Sequence, residues 1–266
     1  MPVIRHTPQA PTHTRTLAPG ERIEAHRHDD HQIVYAGSGV LAVTTDAGTW
    51  FAPGTRAIWV PAGCAHAHRA RGHLDLHTLG LPADTNPLGL DAPSVLTVSP
   101  LLRELILAYT RAPHTDAPER PDGPERSDAP QPPDSPERRR LRAVLLDQLR
   151  ASPQQPLQLP SPADPRLKAV CDLLHRHPAD PRTLAALGTA TGTGERTLSR
   201  LFRRELGMTF PQWRTQLRLY HALGMLADEL PVTTVAHRCG WSSTSAFIDV
   251  FRRAFGYTPG VHHRRP

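Results

Sequence analysis

His26 and His28 stand two residues apart in the run His26-Arg27-His28-Asp29-Asp30-His31-Gln32. On a β-strand that spacing puts both imidazoles on one face, the lumen side if the strand belongs to a barrel. A hairpin partner that brings His66 of Pro61-Ala62-Gly63-Cys64-Ala65-His66 beside them completes a three-imidazole set. Such a set suits Zn, Fe, Mn, Ni or Cu. Hydrogen-bonded structural histidines would produce the same pattern, so ligand and structural roles both stand. His31 and His68 fall on the other side of regular strands and receive no role.

A second chemistry sits near the carboxyl end. Of the formal net charge of +6, residues 1–110 contribute −1, residues 111–163 contribute 0 and residues 164–266 contribute +7. A basic third on a neutral remainder is the footprint of a polyanion-binding module. Within it, Leu198, Leu201, Phe202 and Leu206 recur at helical spacing, leaving Glu195, Arg196, Ser199, Arg200 and Arg203 on the opposite face. Arginine on an exposed helix face can pair with guanine O6 and N7 in a major groove.

The elements that must position these groups follow from periodicity. Gln32–Tyr35, Gly39–Thr45, Gly48–Phe51 and Ala57–Val60 are short β-branched or apolar runs punctuated by Gly, Pro and Asp, which suits an antiparallel barrel or sandwich. Thirteen prolines fall between 111 and 165, and the stretch 111–135 is too poor in apolar side chains to offset its ordering entropy, so a disordered loop is predicted there. Helical patterns flank it: Leu101, Leu102, Leu105, Ile106 and Tyr109 before, and Leu141, Val144, Leu145 and Leu149 after. These two helices either cover the adjacent sheet or supply a dimer contact. After Asp164 the chain reads helical to its end, with two similar helix–turn–helix patterns. The first runs through Thr183–Thr191, a turn at Gly192 and Glu195–Glu205. The second runs through Val232–Arg238, a turn at Gly240 and a helix opening at Ser243 or Thr244. The uninterrupted run Phe210–Glu229, with Pro211 in its first turn, would be a rigid rod holding the two reading helices in successive grooves.

The predicted fold class is therefore α+β with two domains: an N-terminal antiparallel β-barrel and a C-terminal all-α domain with two helix-turn-helix motifs. Boundaries are expected at an N-terminal tail (1–17), a barrel (18–92), a helical connector (93–152), a linker (153–163) and a DNA-binding domain of seven helices (164–266). No apolar run approaches the ~20 residues of a membrane span. No secretory pattern opens the sequence, and three scattered cysteines argue against a disulfide framework. A cytoplasmic protein with no membrane partner is expected.

Two resemblances sharpen this reading. Glu195-Arg196-Thr197-Leu198-Ser199-Arg200-Leu201-Phe202-Arg203-Arg204-Glu205-Leu206-Gly207, together with Val235–Phe247 and Phe251–Pro259, resembles the reading units of AraC/XylS-type transcription regulators. The resemblance implies double-stranded operator DNA as partner. By position, Arg196, Ser199, Arg200, Thr244, Ser245 and Asp249 would read bases, and Arg203, Arg214, Arg218 and Arg252 would contact the backbone. Asp249 departs from the basic residue common there; it can only accept a hydrogen bond, for instance from cytosine N4. The histidine runs resemble the two cupin motifs, HxHx3–4Ex6G and PxGxxH. That resemblance implies a cupin-like barrel in which His26, His28, Gln32 and His66 occupy the metal positions. Gln32 stands where cupin metalloenzymes carry Glu, which weakens a hard-metal site and removes a general base. Across nearly the whole chain except 111–135 the sequence resembles the cupin-bearing subset of that regulator family. The subset implies a repressor whose barrel senses a small molecule or metal, dimerises, or does both. No cofactor is required by any motif, and a divalent metal is what the imidazoles suit. The rival class is a metal-dependent cupin isomerase or dioxygenase. Gln32 and the lack of a carboxylate–imidazole pair outside the barrel speak against it. A third reading is a protein-binding scaffold.

Overall fold

The computed structural model describes residues 4–111, 135–155 and 158–264. Two six-stranded sheets face each other. One has the order β1 (Arg5–Thr7), β3 (Arg22–His28), β8 (His66–Arg71), β5 (Val40–Thr45), β6 (Gly48–Pro53), β12 (Gln158–Pro160). The other runs β11 (Gln154–Gln155), β10 (Ser94–Thr97), β7 (Arg56–Val60), β4 (His31–Ala36), β9 (Leu74–Leu81), β2 (His13–Leu17). All pairings are antiparallel except β1 with β3. The four strand runs anticipated from alternation are β4 to β7.

Three apolar layers follow from that alternation. Val34, Ala36, Leu41, Val43, Ile58 and Val60 point inward and fill the barrel with Trp50, Leu74 and Leu76. Their neighbours Ile33, Tyr35, Ala57, Trp59, Leu79 and Leu81 point out from the second sheet. Onto them pack α1 (Pro100–Arg111) and α2 (Pro136–Arg150) through Leu102, Ile106, Leu145 and Leu149. The start of α2 lies against the end of α1, where Arg138 sits 4.1 Å over the Tyr109 ring and donates to the Tyr109 carbonyl. The two helices thus cover the sheet beside them, and they leave Leu101 and Val144 exposed at 54% and 47%.

The outer face of the first sheet takes the C-terminal helices. Val40, Ala42, Phe51 and Leu159 join one apolar cluster with α3 (Pro165–Arg176), α4 (Leu184–Ala190), α5 (Glu195–Leu206), α6 (Phe210–Ala227), α7 (Val232–Arg238) and α8 (Thr244–Phe255). Six α-helices and a closing 3-10 segment (Pro259–Arg264) stand among the described residues where seven helices were expected. Tyr220 of α6 anchors the junction: its ring lies 3.9 Å from Phe51, and Arg71 Nη2 donates to its hydroxyl at 2.7 Å.

Three boundaries need correction. Residues 5–7 and 13–17 are not a tail, since β1 and β2 add a strand to each sheet. β10 belongs to the barrel rather than to the helical connector. Residues 153–163 are not a free linker: β11 pairs with β10 and β12 with β6. Strands of two or three residues, such as β1, β11 and β12, are too short to show alternation, which is why periodicity missed these three. The loop expected at 111–135 lies, between Arg111 and Ser135, outside the described residues.

Candidate nucleic-acid interface and metal centre

Each reading helix is cut to length by local chemistry. Helix α5 starts after Gly194 and ends at Gly207, which adopts φ +67° as a left-handed cap. Helix α8 is capped by Ser243, whose hydroxyl accepts from Ala246 N–H, and ends at Gly256 with φ +82°. Helix α6 opens with a capping box between Thr209 and Gln212. Its 18 residues make a rod of about 27 Å. The turns are closed by Gly192 (φ +69°) and Gly240 (φ +75°).

The apolar stripe of α5, Leu198, Leu201, Phe202 and Leu206, is buried, and Arg196, Arg200 and Arg203 are exposed with Ser199 half-buried. Arg196, Arg200 and Arg203 form no ion pair among the described residues, whereas Arg204 is held by Glu205 at 3.0 Å. On α8, Phe247, Phe251 and Phe255 face inward while Ser245, Asp249 and Arg252 are exposed and Thr244 is half-buried. Asp249 and Arg252 lie 3.7 Å apart, a solvent-exposed pair that contributes little by itself and leaves both groups able to exchange partners.

Arg214 and Arg218 are placed differently from the other arginines expected to contact the DNA backbone. The Arg214 guanidinium donates to the Arg182 carbonyl and stacks 4.1 Å over Phe210. Arg218 Nε donates to the Pro178 carbonyl at 3.1 Å, beside the Trp241 ring. Both are half-buried braces of the rod against its neighbours, whereas Arg203 and Arg252 are exposed.

In the barrel the structure assembles a larger imidazole cluster than the motif spacing suggested. A β-bulge between Ile23 and His26 inserts one residue into β3, so Ile23 opposes His68 and His26 opposes His66 on β8. Ring centroids are 4.3 Å apart for His26 and His66, 5.0 Å for His28 and His66, 6.0 Å for His26 and His28, and 5.0 Å for His66 and His68. His68 is therefore wrongly assigned to the outer side: it lies two residues from His66 and shares its inward face. His31 does point outward, stacked 4.7 Å from Trp59 and accepting from Ala62 N–H. Gln32 is buried on β4 in the opposite sheet, its Oε1 without a partner. Burial pushes His66 down to about 3 and His68 well below its ordinary value, so both stay neutral, the form that binds metal.

Between β6, β12 and the helices lies a cavity of about 340 Å³ walled by Phe51, Lys168, Asp172, His175, Trp213 and Tyr220. It lies in the seam between the barrel and helices α3 and α6.

Two exposed helices held by one rod, seated on a histidine-lined barrel, define a two-domain DNA-binding transcriptional regulator. Comparison with known proteins agrees part by part. A cupin domain family matches residues 13–81, and a helix-turn-helix domain family matches residues 187–265. The chain is 32% identical over 243 residues to the HTH-type transcriptional regulator NimR of Escherichia coli, covering 90% of this chain and 82% of that protein. It is 35% identical over 102 residues to the regulator RipA of Corynebacterium glutamicum, covering 38% of this chain and 31% of that one. Among solved structures it is similar to the C-terminal domain of AraT from Geobacillus stearothermophilus, at 26% identity and a TM-score of 0.37, covering 39% of this chain and 88% of that one. The chain belongs to the AraC family of transcriptional regulators. Its curated relatives are regulators, not enzymes, and the isomerase or dioxygenase reading falls away. No helix among the described residues is long and apolar enough to cross a membrane.

Proposed function

We propose that the chain is a cytoplasmic, homodimeric repressor that reads a bipartite operator with α5 and α8 of each subunit. A small molecule or divalent metal held in its barrel then changes operator occupancy. The observation that carries the reading is the pair of exposed faces on one rod, with Arg196, Arg200 and Arg203 of α5 forming no ion pair among the described residues and the aromatic stripe of α8 buried. Arg196, Ser199 and Arg200 read bases on one half-site and Thr244, Ser245 and Asp249 on the other, while Arg203 and Arg252 hold phosphates. Because α8 offers an acidic residue where a phosphate or guanine contact would want a base, α5 supplies more of the affinity. Exposed Leu101 and Val144 on α1 and α2 support a subunit contact there. The shared apolar cluster at Phe51, Leu159 and Tyr220 supports a route from barrel to reader. An effector acts through that route only to the extent that it binds two arrangements with different affinity.

A metal fits the barrel. Buried imidazole nitrogens without partners, His28 Nε2 and His66 Nε2 among them, are the donors such an ion takes, and its chemistry here is to bind and orient rather than to react.

The test is equilibrium binding of the full chain to labelled duplexes carrying its own upstream region, against scrambled duplexes in moderate salt. Arg200→Ala should cost about 1–3 kcal/mol on the specific duplex and little on the scrambled one. Equal loss on both would remove the base-reading role, and no preference by the unaltered protein would remove the reading as a whole.

A further inference from the structure

Hydrogen bonds hold one ring nitrogen each of His26, His28 and His66 in the imidazole cluster. His26 Nδ1 lies 2.8 Å from the Glu24 carbonyl, His28 Nδ1 2.7 Å from that of Asp30 and His66 Nδ1 2.8 Å from that of Cys64. A carbonyl only accepts, so each of these Nδ1 atoms donates its proton, which leaves Nε2 of His28 and of His66 as the lone-pair atom. This is the backbone support that orients metal-bound histidines. His28 Nε2, His66 Nε2 and both nitrogens of His68 are buried without a hydrogen-bond partner. A buried polar atom left unpaired has lost its water and gained nothing in return. Four on neighbouring rings of one barrel wall are therefore a receptor waiting for an acceptor of lone pairs.

The tightest group is not the motif set. Donor atoms of His26, His66 and His68 all lie within 4.8 Å of one another, and this is the one such group of histidine, cysteine or acidic side chains among the described residues. Its members sit on the adjacent strands β3 and β8, whereas Gln32 belongs to β4 of the facing sheet. The bulge at the start of β3 is what places His26 opposite His66 while leaving Ile23 opposite His68. His26 is half-buried and marks the mouth of the site.

We propose that His68 is a metal ligand that takes over from Gln32. It forms with His26 and His66 an all-imidazole site, bordered by His28, for a borderline divalent transition ion. Neutral nitrogen donors without a carboxylate favour ions such as Zn, Co, Ni or Cu over Mg, Ca or Mn, which want anionic oxygen. The inference rests on the metal reading of the barrel given above and names its ligands and its class of ion.

The experiment uses the full, untagged chain, stripped with chelator and titrated with Zn and with Co(II), with X-ray absorption at the metal edge to count imidazoles. The unaltered protein should bind one Zn per chain through three or four imidazoles. It should show no comparable uptake of Mg. His68→Gln should weaken Zn binding by at least about tenfold and remove one imidazole from the count. Gln32→Leu should change neither value, and His28→Gln should retain three imidazoles, those of His26, His66 and His68. No Zn uptake by the unaltered protein would overturn the metal reading and this inference together. Uptake with His68→Gln matching the unaltered protein in affinity and imidazole count would overturn the role of His68 alone. Should His68→Gln fail to fold by circular dichroism, His28→Gln decides. Three imidazoles there mean His26, His66 and His68, and two or fewer return the site to the motif set.

Discussion

The two helix–turn–helix turns contain a built-in control for one another. Gly192 and Gly240 both adopt the left-handed backbone, with φ of +69° and +75°. A Cβ added at Gly192 would meet nothing within 4 Å, while one at Gly240 would lie 2.7 Å from Ala179 Cα and 2.9 Å from Arg218 Nη2. Gly192→Ala should therefore cost only the left-handed penalty, about 1–2 kcal/mol. Gly240→Ala carries the same penalty plus the cost of forcing an atom against a fixed backbone, about 1–3 kcal/mol more. At roughly 3 °C per kcal/mol for a chain of this size, the midpoints should fall by about 3–6 °C and about 6–15 °C. Thermal melts followed by circular dichroism measure the difference directly. The second substitution also pushes Arg218 away from its place beside Trp241, so binding to a duplex bearing both half-sites should weaken more for Gly240→Ala than for Gly192→Ala. Equal shifts in the two variants would refute the packing account of the second turn.

Two further outcomes are expected. Tyr220→Phe removes the acceptor of Arg71 Nη2 at the junction. A double-mutant cycle with Arg71→Met should give a coupling of about 1 kcal/mol, and a value near zero would show that the two domains do not feel each other there. His77 is held neutral against Thr110 at 2.7 Å, and burial, aided by the Arg111 charge, pushes it down to about 4. Its folded value lies below the unfolded one near 6.5, so the unfolded chain binds the extra proton between them. The contribution of His77 is then complete above about pH 6.5 and lost as pH falls toward 4. Midpoints measured across that window should drop less steeply for His77→Gln, and parallel slopes would count against the assignment.

Much of this architecture is legible in the chain because alternation and helical periodicity report burial. The interior of β4 to β7 and the stripes of α5 and α8 are cases where each apolar residue faces a core. Legibility fails where one residue changes the count. The bulge in β3 resets its inward face, and assigning His68 outward overlooked that it shares parity with His66 on β8. It fails again on α6, where position in the family resemblance gives Arg214 and Arg218 to the DNA backbone while their guanidinium groups reach the carbonyls of Arg182 and Pro178. No local pattern announces an arginine whose partner lies 32 or 40 residues away.

The short segment that closes each sheet before α3 has a consequence for anyone splicing this reader onto another sensor. A cut at residue 163 leaves β11 and β12 on the parent barrel, but it opens the apolar cluster that Val40, Ala42, Phe51 and Leu159 share with the C-terminal helices. A cut before β11 would strip the margins of β6 and β10 from the parent barrel and leave bare amide rows that invite self-association. The transplantable unit is thus the whole chain from Arg5 onward, and swapping of parts is better attempted by exchanging the reading faces of α5 and α8 in place.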